Sequence, residues 1–122
     1  MGFSEIEILC AIGSRADHNY ANMLCLDYCR KHKVQASVVN RRNKLFLIDN
    51  EAVIDNAEYA YFSVYAFLGA VEGLTIQDAY YEVNNIQLQP YDQFAQSNCY
   101  KNNKPVKIFV KSGTILLIQS ND

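Results

Sequence analysis

The chain has 122 residues, half of them apolar and a fifth charged, with a formal net charge of −2. That length fits one ordinary domain, and that composition excludes a disordered tail or linker. With two prolines and five glycines there is no low-complexity tract to divide it, so a single domain over 1–122 is expected. Met1–Ser14 has no basic region ahead of its apolar run, and the longest uncharged apolar run, Tyr59–Val71, is shorter than the roughly 20 residues a bilayer demands. A cytoplasmic protein with no membrane contact is expected. In such a compartment Cys10, Cys25, Cys29 and Cys99 are expected as reduced thiols, with Cys10 and Cys25 acting as small buried hydrophobes.

In chain order, Ile6, Ile8, Cys10 and Ile12 share one face of a strand, with Leu9 and Ala11 on the other; apolarity on both faces predicts a central strand ended by Gly13. Ser14 with Asp17 reads as an N-cap pair for a helix running to about Lys33. Its expected apolar stripe is Ala21, Leu24, Cys25 and Tyr28, and the run Arg30, Lys31, His32, Lys33 suits its negative dipole end. Val34–Val39 and Lys44–Ile48 predict a hairpin about the turn Asn40–Asn43. Asp55 with Glu58 reads as a second capping pair, opening a helix over 57–72 that Gly73 stops. The alternation Tyr59–Tyr65 also fits a strand, but the caps and the length favour helix. Thr75 with Asp78 predicts a third, short helix over 76–83. Ile86–Tyr100 is the least legible stretch, read as a strand and then a helix begun at Pro90. Val106, Ile108 and Val110, a turn at Ser112–Gly113 and a buried strand Ile115–Ile118 predict a C-terminal β-hairpin. The expected fold is α+β: a mixed β-sheet with two or three packed helices and that terminal hairpin.

Charge is placed unevenly. Six of the eleven basic residues lie between Arg30 and Lys44, whereas Leu45–Tyr100 has no Lys or Arg and eight acids. If the first helix ends beside the first hairpin's turn, Arg30, Lys33, Arg41, Arg42 and Lys44 form a patch for phosphates of a nucleotide or nucleic acid. Arg15, after Gly13-Ser14 at a helix start, would add to such an anion site through the helix N-terminus. Read as a helix, the 57–72 segment is aromatic on every side. That points to a covered surface, with Tyr59, Tyr61, Tyr65, Glu58 and Glu72 as its partner-binding residues.

His18, Cys25, Cys29 and His32 line one side of the first helix, where three could ligate zinc. No second Cys pair supports this, so no metal and no cofactor are expected. Ser14, Asp17 and His18 match no nucleophile motif, and no catalytic residue is assigned. The function expected from sequence is a non-enzymatic inhibitor or regulator, of the phage-accessory or immunity type. It would act on another protein, or on a second copy of itself, through the acidic Tyr-rich segment. The alternative is a nucleotide or nucleic-acid binder using the basic patch at 30–44.

Overall fold

A strand that is apolar on both faces needs cover on both sides, and this demand sets the architecture. The computed structural model describes residues 5–9 and 15–122. Along them run β1 (Glu5–Leu9), α1 (Ala16–Lys31), β2 (Gln35–Val39), β3 (Asn43–Ile48), β4 (Glu51–Ile54) and β5 (Tyr61–Ala66). Then follow β6 (Val71–Gln77), β7 (Val83–Leu88), β8 (Asn98–Cys99), β9 (Val106–Phe109) and β10 (Ile115–Ser120). One sheet has the order β1-β2-β3-β10-β5-β8, the other β4-β9-β6-β7. The β1–β2 pair is parallel, as a crossover through α1 requires, and the other pairs are antiparallel.

The two sheets face each other across a core of Ile48, Phe62, Val64, Ile115 and Leu117 from the larger sheet and Leu74, Ile76, Leu88, Val106 and Ile108 from the smaller. The larger sheet is covered again on its outer face, where Leu26 of α1 packs with Ala36, Val38, Leu45, Leu47 and Leu116. The order of layers is therefore helix, six-stranded sheet, four-stranded sheet. β10 lies between β3 and β5 and sends alternate residues into the two cores.

The expected α+β fold is corrected to a mostly-β sandwich with one helix among the described residues. The predicted helix over 57–72 is instead β5 and the start of β6, and that over 76–83 is the β6–β7 region. The cap-like pairs have other partners. Asp55 accepts the Ala57 N–H at 3.0 Å in a local turn, and Thr75 accepts the Asn85 N–H at 3.0 Å across the β6–β7 pair. Tyr59–Phe67 is apolar in both phases because β5 is covered on both faces. Phe62, Val64 and Ala66 point toward the smaller sheet, and Tyr65 packs on the helix side. No helix begins at Pro90; turns lead from there to β8.

The C-terminal hairpin is also corrected. β9 and β10 belong to different sheets, so Ser112–Gly113 turns the chain from one layer to the other. Helix α1 and the hairpin β2–β3 form where the spacing places them, and Asn40 closes that turn by accepting the N–H groups of Arg42 and Asn43. The helix buries a different stripe from the one expected: Leu26 and Asp27 are buried, Met23 and Cys29 half-buried, while Ala21, Leu24, Cys25 and Tyr28 are exposed. Cys25 is thus not a core residue. Gly13, Ser14 and Cys10, with the predicted N-cap and strand end, lie outside the described residues.

Three sheet-to-sheet connections meet at one end of the sandwich. Phe67 donates its N–H to Thr114 at 2.9 Å, Val110 donates to Asn50 at 2.7 Å, and the Thr114 hydroxyl reaches Asp49 at 2.7 Å. Gly113 sits in this junction with φ +95°, and a Cβ there would stand 2.7 Å from the Ala70 carbonyl oxygen. Gly113→Ala should therefore lower the free energy of unfolding by more than about 1 kcal/mol, against a gain of a few tenths where a glycine has room and ordinary φ. Urea denaturation measures the difference.

Candidate functional site

Two surfaces carry groups able to hold a ligand. The first is a cleft of about 690 Å³, formed because the six-stranded sheet is wider than the four-stranded one. β1 and β2 overhang the edge strand β4, and the space is lined by Glu5, Glu7, Ser37, Lys44, Phe46 and Glu51 among others.

The second surface is the corner where the β6–β7 connection meets β8. Asn98 is buried there because its side chain acts as a substitute strand. Its amide oxygen accepts the Tyr81 N–H at 3.0 Å, its amide nitrogen donates to the Tyr81 carbonyl at 2.7 Å, and the oxygen also accepts the Cys99 N–H at 2.9 Å. Tyr80 donates its own N–H to the Cys99 carbonyl at 2.9 Å. These bonds hold the backbone while both rings stay outside: Tyr80 is 63% and Tyr81 61% exposed, packed edge to face at 4.9 Å. Asp78 (φ +67°) and Ser97 (φ +57°) flank the corner in left-handed conformations, which cost non-glycine residues about 1 kcal/mol or more and concentrate at functional sites. Glu82 accepts the Asp78 N–H at 2.6 Å, closing the turn that carries the two tyrosines.

Behind the corner, Tyr100 packs against Phe62, ring centres 5.4 Å apart. Burial pushes its hydroxyl up to about 12, while the hydrogen bond from Gln119 pulls it down in part and the Asp55 charge raises it.

The residues singled out from sequence are dispersed. Tyr59 is buried, and burial, with help from the Glu58 and Glu7 charges, raises its hydroxyl. Tyr61 and Tyr65 share one face of β5, yet Tyr65 is half-buried in the helix-side core. Glu58 gives its carbonyl to Asn121, and Glu72 lies on β6, where it accepts from Gln87. The five do not form one face.

The basic residues divide as well. Arg30 ends α1 tied to Asp27 at 2.8 Å and to Asp49 at 3.1 Å, and Arg30 holds the Asp27 carboxyl below its ordinary range. Arg41 and Arg42 occupy the β2–β3 turn. The five residues of β2 separate that turn from the helix end, about 17 Å of strand. Lys33, at φ +59°, stays with the helix end. Lys44 joins Arg30 in lining the cleft. Arg15 precedes α1 and pairs with Asp17 at 2.8 Å. Among the described residues, no group of three His, Cys, Asp or Glu side chains is placed to hold a metal ion.

Sequence reasoning passed over Tyr80, Tyr81 and Asn98. The legible signal was a tandem tyrosine between Asp78 and Glu82 inside the base-free segment.

A β-sandwich flanked by one helix, with an exposed aromatic corner, is the class of domain described here. Residues 50–115 match the family model described as thiamin pyrophosphokinase, vitamin B1 binding domain, and since that is more than half of the chain, the chain belongs to this family. The fold is that of the thiamine pyrophosphokinase from Bacillus subtilis (TM-score 0.92, 23% identity, 98% of this chain and 57% of that one). It is also similar to a thiamin pyrophosphokinase family protein from Enterococcus faecalis (TM-score 0.80, 27% identity, 95% and 55%) and to the yeast enzyme (TM-score 0.75, 15% identity, 94% and 39%). The chain thus spans a little over half the length of these bacterial proteins. No curated protein matches its sequence. The expected inhibitor or regulator, and the alternative of a nucleotide or nucleic-acid binder using the basic patch at 30–44, are corrected by this membership. No helix among the described residues is long and apolar enough to cross a membrane.

Two outcomes test the corner. Asn98→Ala strips partners from the Tyr81 N–H and carbonyl and should cost about 2–3 kcal/mol of stability; urea unfolding reads it. In alkali, Tyr100 favours the fold in its neutral form. That contribution is whole below pH 10 and is lost as pH rises from 10 toward 12, so Tyr100→Phe should flatten stability across that window.

Proposed function

We propose that this chain binds thiamin at the Tyr80–Tyr81–Asn98 corner. The observation that carries this reading is one of position. All the corner residues fall inside the family-matched segment 50–115, whereas most residues lining the cleft fall outside it. The chemistry agrees. Thiamin joins two flat heteroaromatic rings, one a thiazolium with a permanent positive charge. Exposed tyrosines offer ring faces for stacking and cation–π attraction. Asp78 and Glu82 lie beside them, and Leu45–Tyr100 contains no Lys or Arg to oppose the cation. Asn98 fixes the backbone that carries the rings and so limits the ordering cost of binding.

For phosphate, the anion-site residue favoured by position is Arg15. It stands at the N-terminus of α1, where free backbone N–H groups and the helix dipole attract anions. The reading assigns it a phosphate of the diphosphate donor that a pyrophosphokinase uses.

Isothermal titration calorimetry with thiamin should show saturable binding. Tyr80→Ala and Tyr81→Ala should each weaken it about 3- to 30-fold, the range for loss of one cation–π contact of ~0.5–2 kcal/mol. Tyr80→Phe and Tyr81→Phe, which keep the ring, should stay near wild type. Undiminished affinity in the double alanine variant, with its fold intact, would place the vitamin elsewhere.

A further inference from the structure

We propose that the turn between β8 and β9 is a diphosphate clamp beside the Tyr80–Tyr81 corner, so that this domain binds the diphosphate ester of the vitamin more tightly than the vitamin itself. The inference rests on the thiamin reading and deepens it. Past β8 the chain continues alongside the corner. Tyr100 pairs with Ala79 in an antiparallel bridge, and Tyr80 donates its N–H to Cys99 at 2.9 Å. Ala79 is buried and Tyr100 packs against the same core, so alternation turns Lys101 to the outer side, where Tyr80 stands. In that register Lys101 is the diagonal neighbour of Tyr80, about 7–8 Å away.

The turn itself holds two cations together. Asn102 (φ +53°) and Asn103 (φ +56°) are consecutive left-handed residues, and Lys104 donates its N–H to the Lys101 carbonyl at 3.0 Å. A two-residue turn of this type I′ form sets its flanking residues directly opposite each other, with Cβ atoms about 5 Å apart. The Asn56 side-chain amide donates to the Asn103 side-chain oxygen at 2.8 Å and ties the turn to the neighbouring loop. Lys101 and Lys104 are both exposed, and among the described residues neither forms an ion pair. Two carboxylates lie on the adjoining segments. Asp55 accepts the Ala57 N–H of its own turn, and Asp78, across from Lys101, makes no ion pair with it. Like charges directly opposite each other are destabilising. An anion that bridges the two ammonium groups removes that repulsion, and a diphosphate offers one phosphate to each. The hydroxyethyl arm of a thiazolium ring stacked on Tyr80 would carry such a group toward Lys101.

The experiment is calorimetry on the whole chain with thiamin and with thiamin diphosphate, in about 0.1 M salt, where charges beyond about 10 Å are screened. Wild type should bind the diphosphate at least about tenfold more tightly, the factor equivalent to 1.4 kcal/mol. Lys101→Met combined with Lys104→Met should abolish that preference, whereas Lys101→Arg combined with Lys104→Arg, which keeps both charges, should retain it. Without ligand the double methionine variant should melt no lower than wild type, because it relieves the repulsion. Thiamin bound as tightly as its diphosphate by the wild type would overturn the proposal and leave the thiamin reading standing. So would a preference that survives in the folded methionine variant. A methionine variant that melts well below wild type would show the lysines already partnered, and overturns it too. Binding of neither compound would remove both readings at once.

Discussion

A strand at the centre of a three-layer structure has to satisfy two different cores at once, and β10 is that strand. Ile115 and Leu117 enter the core between the sheets, while Leu116 packs beneath α1 with Ile118 beside it. Its ladders to β3 and β5 run the full length of the strand, Ile115–Ser120. Without β10 the larger sheet would separate into two parts, β1-β2-β3 and β5-β8, and neither could close over the smaller sheet. The helix contributes by covering what β10 exposes on its second side.

The same geometry produces both candidate sites. Six strands facing four cannot overlap fully, so one end of the larger sheet overhangs and leaves the cleft. At the opposite end the sheet runs out in the two-residue β8, too short to satisfy its neighbours by ladder alone. Asn98 supplies the missing bonds from its side chain, and the bonds it makes to Tyr81 leave two aromatic rings in water. The rim of exposed aromatics is thus a result of how the sheet is finished.

Much of the first half of the fold was legible, because α1 and the β2–β3 hairpin rest on local spacing and on a turn that Asn40 closes by itself. The buried strand Ile115–Ile118 was legible from its continuous apolar run, but not its pairing, since a turn at Gly113 is compatible with a hairpin or with a step between layers. The 57–72 segment was misread for a physical reason: two-sided burial of β5 erases the period-2 signal, and Asp55 and Thr75 make the same residue pattern as helix caps while bonding turn and cross-strand amides. The charge map was read correctly as composition, yet the basic residues that cluster in sequence are separated by the length of β2. Asn98 was beyond reach, because a buried amide that replaces a strand looks in sequence like any loop asparagine.

The place of β10 in the sheet has a consequence for synthesis. The central strand of the larger sheet is the last of the described strands to leave the ribosome, and its partner β3 lies some seventy residues earlier in the chain. Until Ile115–Ser120 emerges, β3 and β5 each present an unpaired edge with apolar residues on both faces, the kind of surface that recruits other chains. Nascent protein is therefore exposed to misassembly for as long as these two edges wait for the strand that joins them.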